Sequence, residues 1–180
     1  MADKELVVSL KDLPFQATVK YLGSQPAKGL WGMKHTRKPV DYLVSLAKNL
    51  PANKVLSIVK LEINLQGLSF QDITNKKEKS PSVMFPIDTI SYGVQDLVYT
   101  RVFSMIVVKD TDLRSDIPFV CHSFVCESRN QARQITYALA AAFQEYGRQS
   151  KLDGSKRKRF AIDLRTPEEQ AEASEEETEA

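Results

Sequence analysis

Phe119-Val-Cys-His-Ser-Phe-Val-Cys126 runs through Glu127-Ser128-Arg-Asn-Gln131 into a segment that ends near Gly147. The first eight residues read as an alternating apolar strand. Ser128 and Gln131 have capping-box spacing, in which the Ser side chain takes the amide three residues on and the Gln reaches back. Ala132, Ile135, Leu139, Ala142, Phe143 and Tyr146 then recur at three- and four-residue steps, one apolar helical stripe. Gly147 is placed to take the left-handed conformation that closes a helix. A strand therefore runs directly into an amphipathic closing helix.

Upstream, strand patterns dominate. Ala17 to Leu22 reads as a first strand, ended by Gly23-Ser24 and followed by a loop over Gln25–Gly29. Pro39 opens a helix with an apolar stripe of Val40, Leu43, Val44 and Ala47, stopped by Asn49 and Pro51. Val59, Leu61, Ile63 and Leu65 alternate with Lys60, Glu62, Asn64 and Gln66. Gly67 breaks that run and Leu68-Ser-Phe70 resumes it, a hairpin of strands two and three. After a polar turn at Asn75–Ser80, Val83–Ile87 is a fourth strand whose Pro86 marks an edge or an end. Ile90–Val94 is a fifth, and the nearly all-apolar Val102–Val108 a central sixth.

The expected fold is α+β: a seven-stranded antiparallel sandwich or partly open barrel capped by a C-terminal helix, with an extra helix between strands one and two. Residues 14–149 form one domain in this reading. A flexible lead-in (1–13) precedes it, and a basic, then acidic, disordered tail (150–180) follows. Within that tail the amphipathic stretch from Phe160 is a candidate to dock a partner or fold back on the domain.

The formal charge of +2 conceals an asymmetry: seven glutamates from Glu168 onward have no base among them, so the first 167 residues carry 25 bases against 16 acids. A basic body suits anionic surfaces such as membrane headgroups. Cys121 and Cys126 are the two cysteines, on opposite faces of one strand by their odd spacing, so they should not pair. No apolar run reaches the length of a membrane span, and the N-terminus lacks a signal-peptide core. The expectation is a cytoplasmic monomer with reduced thiols, membrane-associated if its bases meet headgroups.

Several pieces, in order, resemble the phosphotyrosine-binding (PTB or PID) domain, a relative of the pleckstrin-homology (PH) superfold, in its Disabled/Numb-like branch. Val19-Lys-Tyr-Leu-Gly-Ser24 resembles the first-strand signature, and Ile90-Ser-Tyr92 with Asp96 the fifth-strand motif. Arg101-Val-Phe-Ser-Met-Ile106 is similar to the sixth strand, and Cys121–Ser128 with Ala141-Ala-Phe143 to the seventh strand and closing helix. The resemblance spans about Phe15 to Gly147. It implies that an extended Asn-Pro-x-Tyr or Asn-Pro-x-Phe peptide (NPxY/NPxF) from a receptor or adaptor tail adds antiparallel to the fifth strand. The docking residues would be Ile90, Ser91, Tyr92, Gly93 and Val94, with Leu139 and Phe143 on the helix.

The residues support that edge independently. Ile90–Val94 carries none of the charges that usually guard an exposed strand, and Gly93 admits another backbone. A phosphotyrosine dianion needs charge-assisted donors; the fifth strand has none, so recognition is expected to be phosphate-independent. The rival reading is a phosphoinositide-binding membrane module using Lys34, Arg37, Lys38 and Lys54. A further rival is a structural subunit whose groove another chain fills. His122 shares a strand face with Cys126 but not Cys121, which disfavours a metal site. No nucleophile–base spacing or phosphate-cradling Gly loop appears. The expectation is a non-catalytic protein without cofactor or metal. Lys156–Arg159 lacks aromatic interleaving, so no nucleic-acid partner is expected.

Overall fold

Period-two apolar patterning builds one sheet, and two helices cover its two faces. The computed structural model describes residues 8–27, 36–51, 55–74, 82–108, 119–152 and 161–163. The strands are β1 (Phe15–Ala27), β2 (Ser57–Asn64), β3 (Gly67–Asp72), β4 (Val83–Pro86), β5 (Ile90–Gln95), β6 (Val102–Val108), β7 (Phe119–Val125) and β8 (Ala161–Asp163). Helix α1 (Arg37–Lys48) lies between β1 and β2 in sequence, and α2 (Arg129–Leu152) follows β7. The sheet order is β4-β3-β2-β1-β7-β6-β5-β8. Every pairing is antiparallel except β5 with β8, which is parallel. The seven antiparallel strands, the helix after the first and the closing helix are therefore as expected, and β8 is an addition to them.

Alternation decides which helix each strand residue meets. Val19, Leu61, Ile63, Phe103, Met105 and Phe124 pack with Ile135, Leu139 and Phe143 of α2. Leu22, Tyr92, Val94, Ile106 and Cys121 pack with Val40 and Leu43 of α1 on the other face. A strand covered on both faces reads as a continuous apolar run, which is why Val102–Val108 shows so little alternation. Each fully buried Ile, Leu or Phe of α2 contributes about 1.5–3 kcal/mol.

Boundaries differ from the expected ones at three places, each for a local reason. β1 does not stop at Gly23: it continues to Ala27 along β7, shifting register between Tyr21 and Gly23. Gly23 holds φ +132°, and a Cβ there would lie 2.9 Å from Leu43 Cδ2, so this glycine lets α1 cross the strand rather than ending it. The expected Gln25–Gly29 loop is strand as far as Ala27. α2 likewise passes through Gly147, which has no positive φ, and ends at Leu152. Arg148 and Gln149 both hydrogen-bond the Glu145 carboxylate, carrying the helix onward. The lead-in is held from Val8, which is buried in the α2-side core, and Leu10–Asp12 forms a 3-10 turn closed by Ser9 and Asp12.

The other signals keep their predicted roles. Ser128 Oγ accepts the Gln131 amide at 3.1 Å, while Gln131 reaches back to the Glu127 amide at 2.8 Å, one residue beyond the box geometry. Asn49 ends α1, its Nδ2 donating to the Ser45 carbonyl at 2.9 Å. Gly67 opens β3 at φ +146°, where a Cβ would stand 2.1 Å from the Phe85 carbonyl oxygen. The expected turn at Asn75–Ser80 and the charged stretches 155–159 and 168–180 lie outside the described residues.

Candidate functional site

β5 ends the antiparallel part of the sheet. Its inner edge pairs with β6, from Ile90↔Val107 to Gln95↔Phe103, with an irregularity between Ile90 and Tyr92. That bulge shifts the pattern: Ile90 joins the α2-side core, whereas Tyr92 and Val94 join the α1-side core. Ser91 sits at the bulge, and its hydroxyl donates to the Ile106 carbonyl at 3.2 Å.

The outer edge of β5 is not bare. Tyr92, Gly93 and Val94 pair in parallel with Ala161, Ile162 and Asp163. β8 also lies beside α2, which contacts β5 as well. All six β5 residues are buried. Of the predicted docking residues, Ile90–Val94 form one strand beside β8. Leu139 and Phe143 sit close by on α2 but are buried in the core, Leu139 wholly so.

The far end of β5 is anchored by residues that sequence reasoning did not single out for this role. Buried Gln95 donates through Nε2 to the Thr100 carbonyl at 2.8 Å and to the Arg129 carbonyl at 3.0 Å, joining β5 to the start of α2. Buried Asp96 accepts the amides of Val98 at 3.0 Å and Tyr99 at 2.8 Å, and both its oxygens accept from Arg37 Nη1 at 3.1 Å. An Asp opening a β5–β6 turn is a legible local signal; its partner 59 positions upstream is not.

The basic residues divide. Burial disfavours the Arg37 charge, but its bonds to Asp41 and the field of Asp96 outweigh this and push its pKa above the usual value. Its guanidinium also lies over the Tyr99 ring. Arg37 is thus engaged by two carboxylates of its own chain. Lys38 is exposed, and Lys34 and Lys54 lie outside the described residues. Near the helix start, Arg101 Nε donates to the Cys126 carbonyl at 3.0 Å. Arg133 lies over the Tyr137 ring and donates to its hydroxyl at 3.2 Å.

Cys121 and Cys126 fall in different cores, on opposite faces as their spacing requires, and are free thiols. Burial pushes both thiols up to about 12, so neither is a thiolate near neutral pH. His122 Nδ1 shares a hydrogen bond with the Tyr21 hydroxyl at 2.9 Å, and the ring stands against Phe85 and Tyr21. Burial pulls its pKa down to about 4. Among the described residues no group of three or more His, Cys, Asp or Glu could hold a metal, and no helix is long and apolar enough to cross a membrane.

The family model of the phosphotyrosine interaction domain (PTB/PID) matches residues 46–152. Human low density lipoprotein receptor adapter protein 1 is 27% identical over 144 residues, covering 78% of this chain and 44% of that protein. The mouse protein of the same name is 27% identical over 146 residues, covering 79% and 44%. The chain thus spans less than half the length of these relatives. Among solved structures, the C-terminal phosphotyrosine interaction domain of mouse APBB2 superposes with a TM-score of 0.54 at 22% identity, covering 73% of this chain and 87% of that one, a likeness of fold.

Proposed function

The chain belongs to the phosphotyrosine interaction domain (PTB/PID) family, and from that premise we propose that it is a non-catalytic adaptor module for short NPxY- or NPxF-type motifs in the cytoplasmic tails of receptors or adaptors. The motif adds as a strand along Ile90–Val94 and rests against α2. One observation carries the reading: the outer edge of β5, beside α2, already pairs with an added strand, Ala161–Asp163. Main-chain bonds supply affinity in such β-augmentation, and side-chain pockets supply specificity. The name of the human relative, a receptor adapter, points to the same class of partner.

Recognition does not depend on phosphate in this proposal. β5 contributes no Lys or Arg. Nearby, Arg101 gives its Nε to the Cys126 carbonyl and Arg133 its Nη2 to the Tyr137 hydroxyl. Titration of the full chain with one Asn-Pro-x-Tyr peptide in its Tyr, phospho-Tyr and Phe forms tests this, following backbone amide shifts. Saturable shifts at residues 90–94 and in α2 with the unphosphorylated forms are expected. Shifts with phospho-Tyr alone would remove the phosphate independence, and none with any form would remove the peptide reading.

A further inference from the structure

We propose that Ala161–Asp163 is a built-in competitor that closes the β5 edge, so that a target motif binds only by displacing it; this deepens the function proposed above and rests on it. The backbone groups of β5 that face away from β6 form a single row. Each donor and acceptor in that row serves one neighbouring strand at a time. β8 engages the row at Tyr92, Gly93 and Val94, three of the five residues assigned to the target. It also lies beside α2, the other side of the seat assigned to the target.

The strand is weak enough to displace. Its ladder is three residues long and parallel, and parallel pairing is slightly less stable per residue than antiparallel. A target running antiparallel along Ile90–Val94 would exchange it for a longer and better ladder. The strand is nonetheless favoured by its tether: eight residues separate Leu152 from Ala161. A short tether gives an effective concentration on the order of millimolar. An incoming peptide therefore sees an affinity reduced by the fraction of molecules whose edge is open. The sequence has the matching character, since Phe160, Ile162 and Leu164 alternate with Ala161 and Asp163 between a basic run and a glutamate-rich one.

The test compares the full chain with its Ala161→Pro/Ile162→Pro variant. Successive amides of a strand point to opposite sides, so one of the two prolines removes a bond toward β5. An unphosphorylated Asn-Pro-x-Tyr peptide is expected to bind the variant about tenfold more tightly than the wild type, the factor corresponding to an edge open in about a tenth of molecules. In the wild type, saturating peptide should accelerate amide exchange at 161–163, a readout that needs no substitution. Equal or weaker binding by the variant, with unchanged exchange at 161–163, overturns the inference while leaving the proposed function intact. If the peptide binds neither protein, a synthetic peptide of residues 158–166 decides. Saturable shifts at Tyr92–Val94 of the variant would keep the built-in strand and discard the NPxY reading, and no shifts would overturn both.

Discussion

Arg37 at the start of α1 and Asp96 at the end of β5 form an ion pair across 59 positions of sequence, with Nη1 3.1 Å from each carboxylate oxygen. The carboxylate is buried and also holds two turn amides. It thereby ties the helix of the outer face to the strand that forms the candidate edge. Asp41, the other partner of Arg37, is half exposed one helical turn away.

Those two carboxylates should behave differently. Asp96→Ala leaves two amides without their acceptor and a partly buried guanidinium with Asp41 alone, a loss of about 2–4 kcal/mol. Asp41→Ala removes an i,i+4 surface pair worth about 0.5 kcal/mol or less. Urea unfolding of both variants checks this, and equal losses would show that the buried end of the network contributes no more than the exposed end.

His122 makes stability depend on pH. Its folded pKa of about 4 lies below the ordinary value of 6.5, so the unfolded chain binds the extra proton first. Stability from the neutral ring is complete above about pH 6.5 and is lost as pH falls toward 4. Between pH 7 and pH 5 the loss should be about 2 kcal/mol, from 1.36 kcal/mol per pH unit over the window below 6.5. Denaturant midpoints of wild type and His122→Gln at both pH values isolate the residue. An identical pH slope in the two proteins would show that His122 protonates freely in the native state.

Phe143 has only 3% of its surface exposed and belongs to the α2-side core. Phe143→Ala should therefore cost about 3–5 kcal/mol of folding stability through the cavity it leaves, and it is a poor probe of binding. Phe143→Leu keeps most of the volume and should cost about 1–2 kcal/mol. If Phe143 also supports a docked motif, the Leu variant stays folded at 25 °C and binds the Asn-Pro-x-Tyr peptide several-fold more weakly. Wild-type affinity in that variant would make Phe143 a core residue alone.

Strands with one apolar face, or with two, were legible because alternation and its absence are both local patterns. Val102–Val108 and the start of α2 after Ser128 were placed to the residue for that reason. Glycine was the less certain guide. Gly23 and Gly147 carry the same local stop signal, yet one sits in a continuing strand and the other in a continuing helix. Glycine permits a positive φ without requiring it, and what crosses above it decides its use. At Gly23 that neighbour is Leu43, a contact between elements. The docking strand was legible as an uncharged edge and the stretch from Phe160 as amphipathic, but their pairing was not, because alternation within each segment does not say which strand it meets.

The sequence alone determined the order of elements from β1 to α2 and the family, since period, caps and short motifs are written in adjacent residues. Only the tertiary structure decided that β5 has a covered outer edge, that Arg37 is held by Asp96, and that Leu139 and Phe143 lie in the core beside that edge. Each of these is a meeting of segments distant along the chain. Backbone donors and buried charges must find partners somewhere, but local patterning shows only that the need exists, and the packed fold selects which segment meets it.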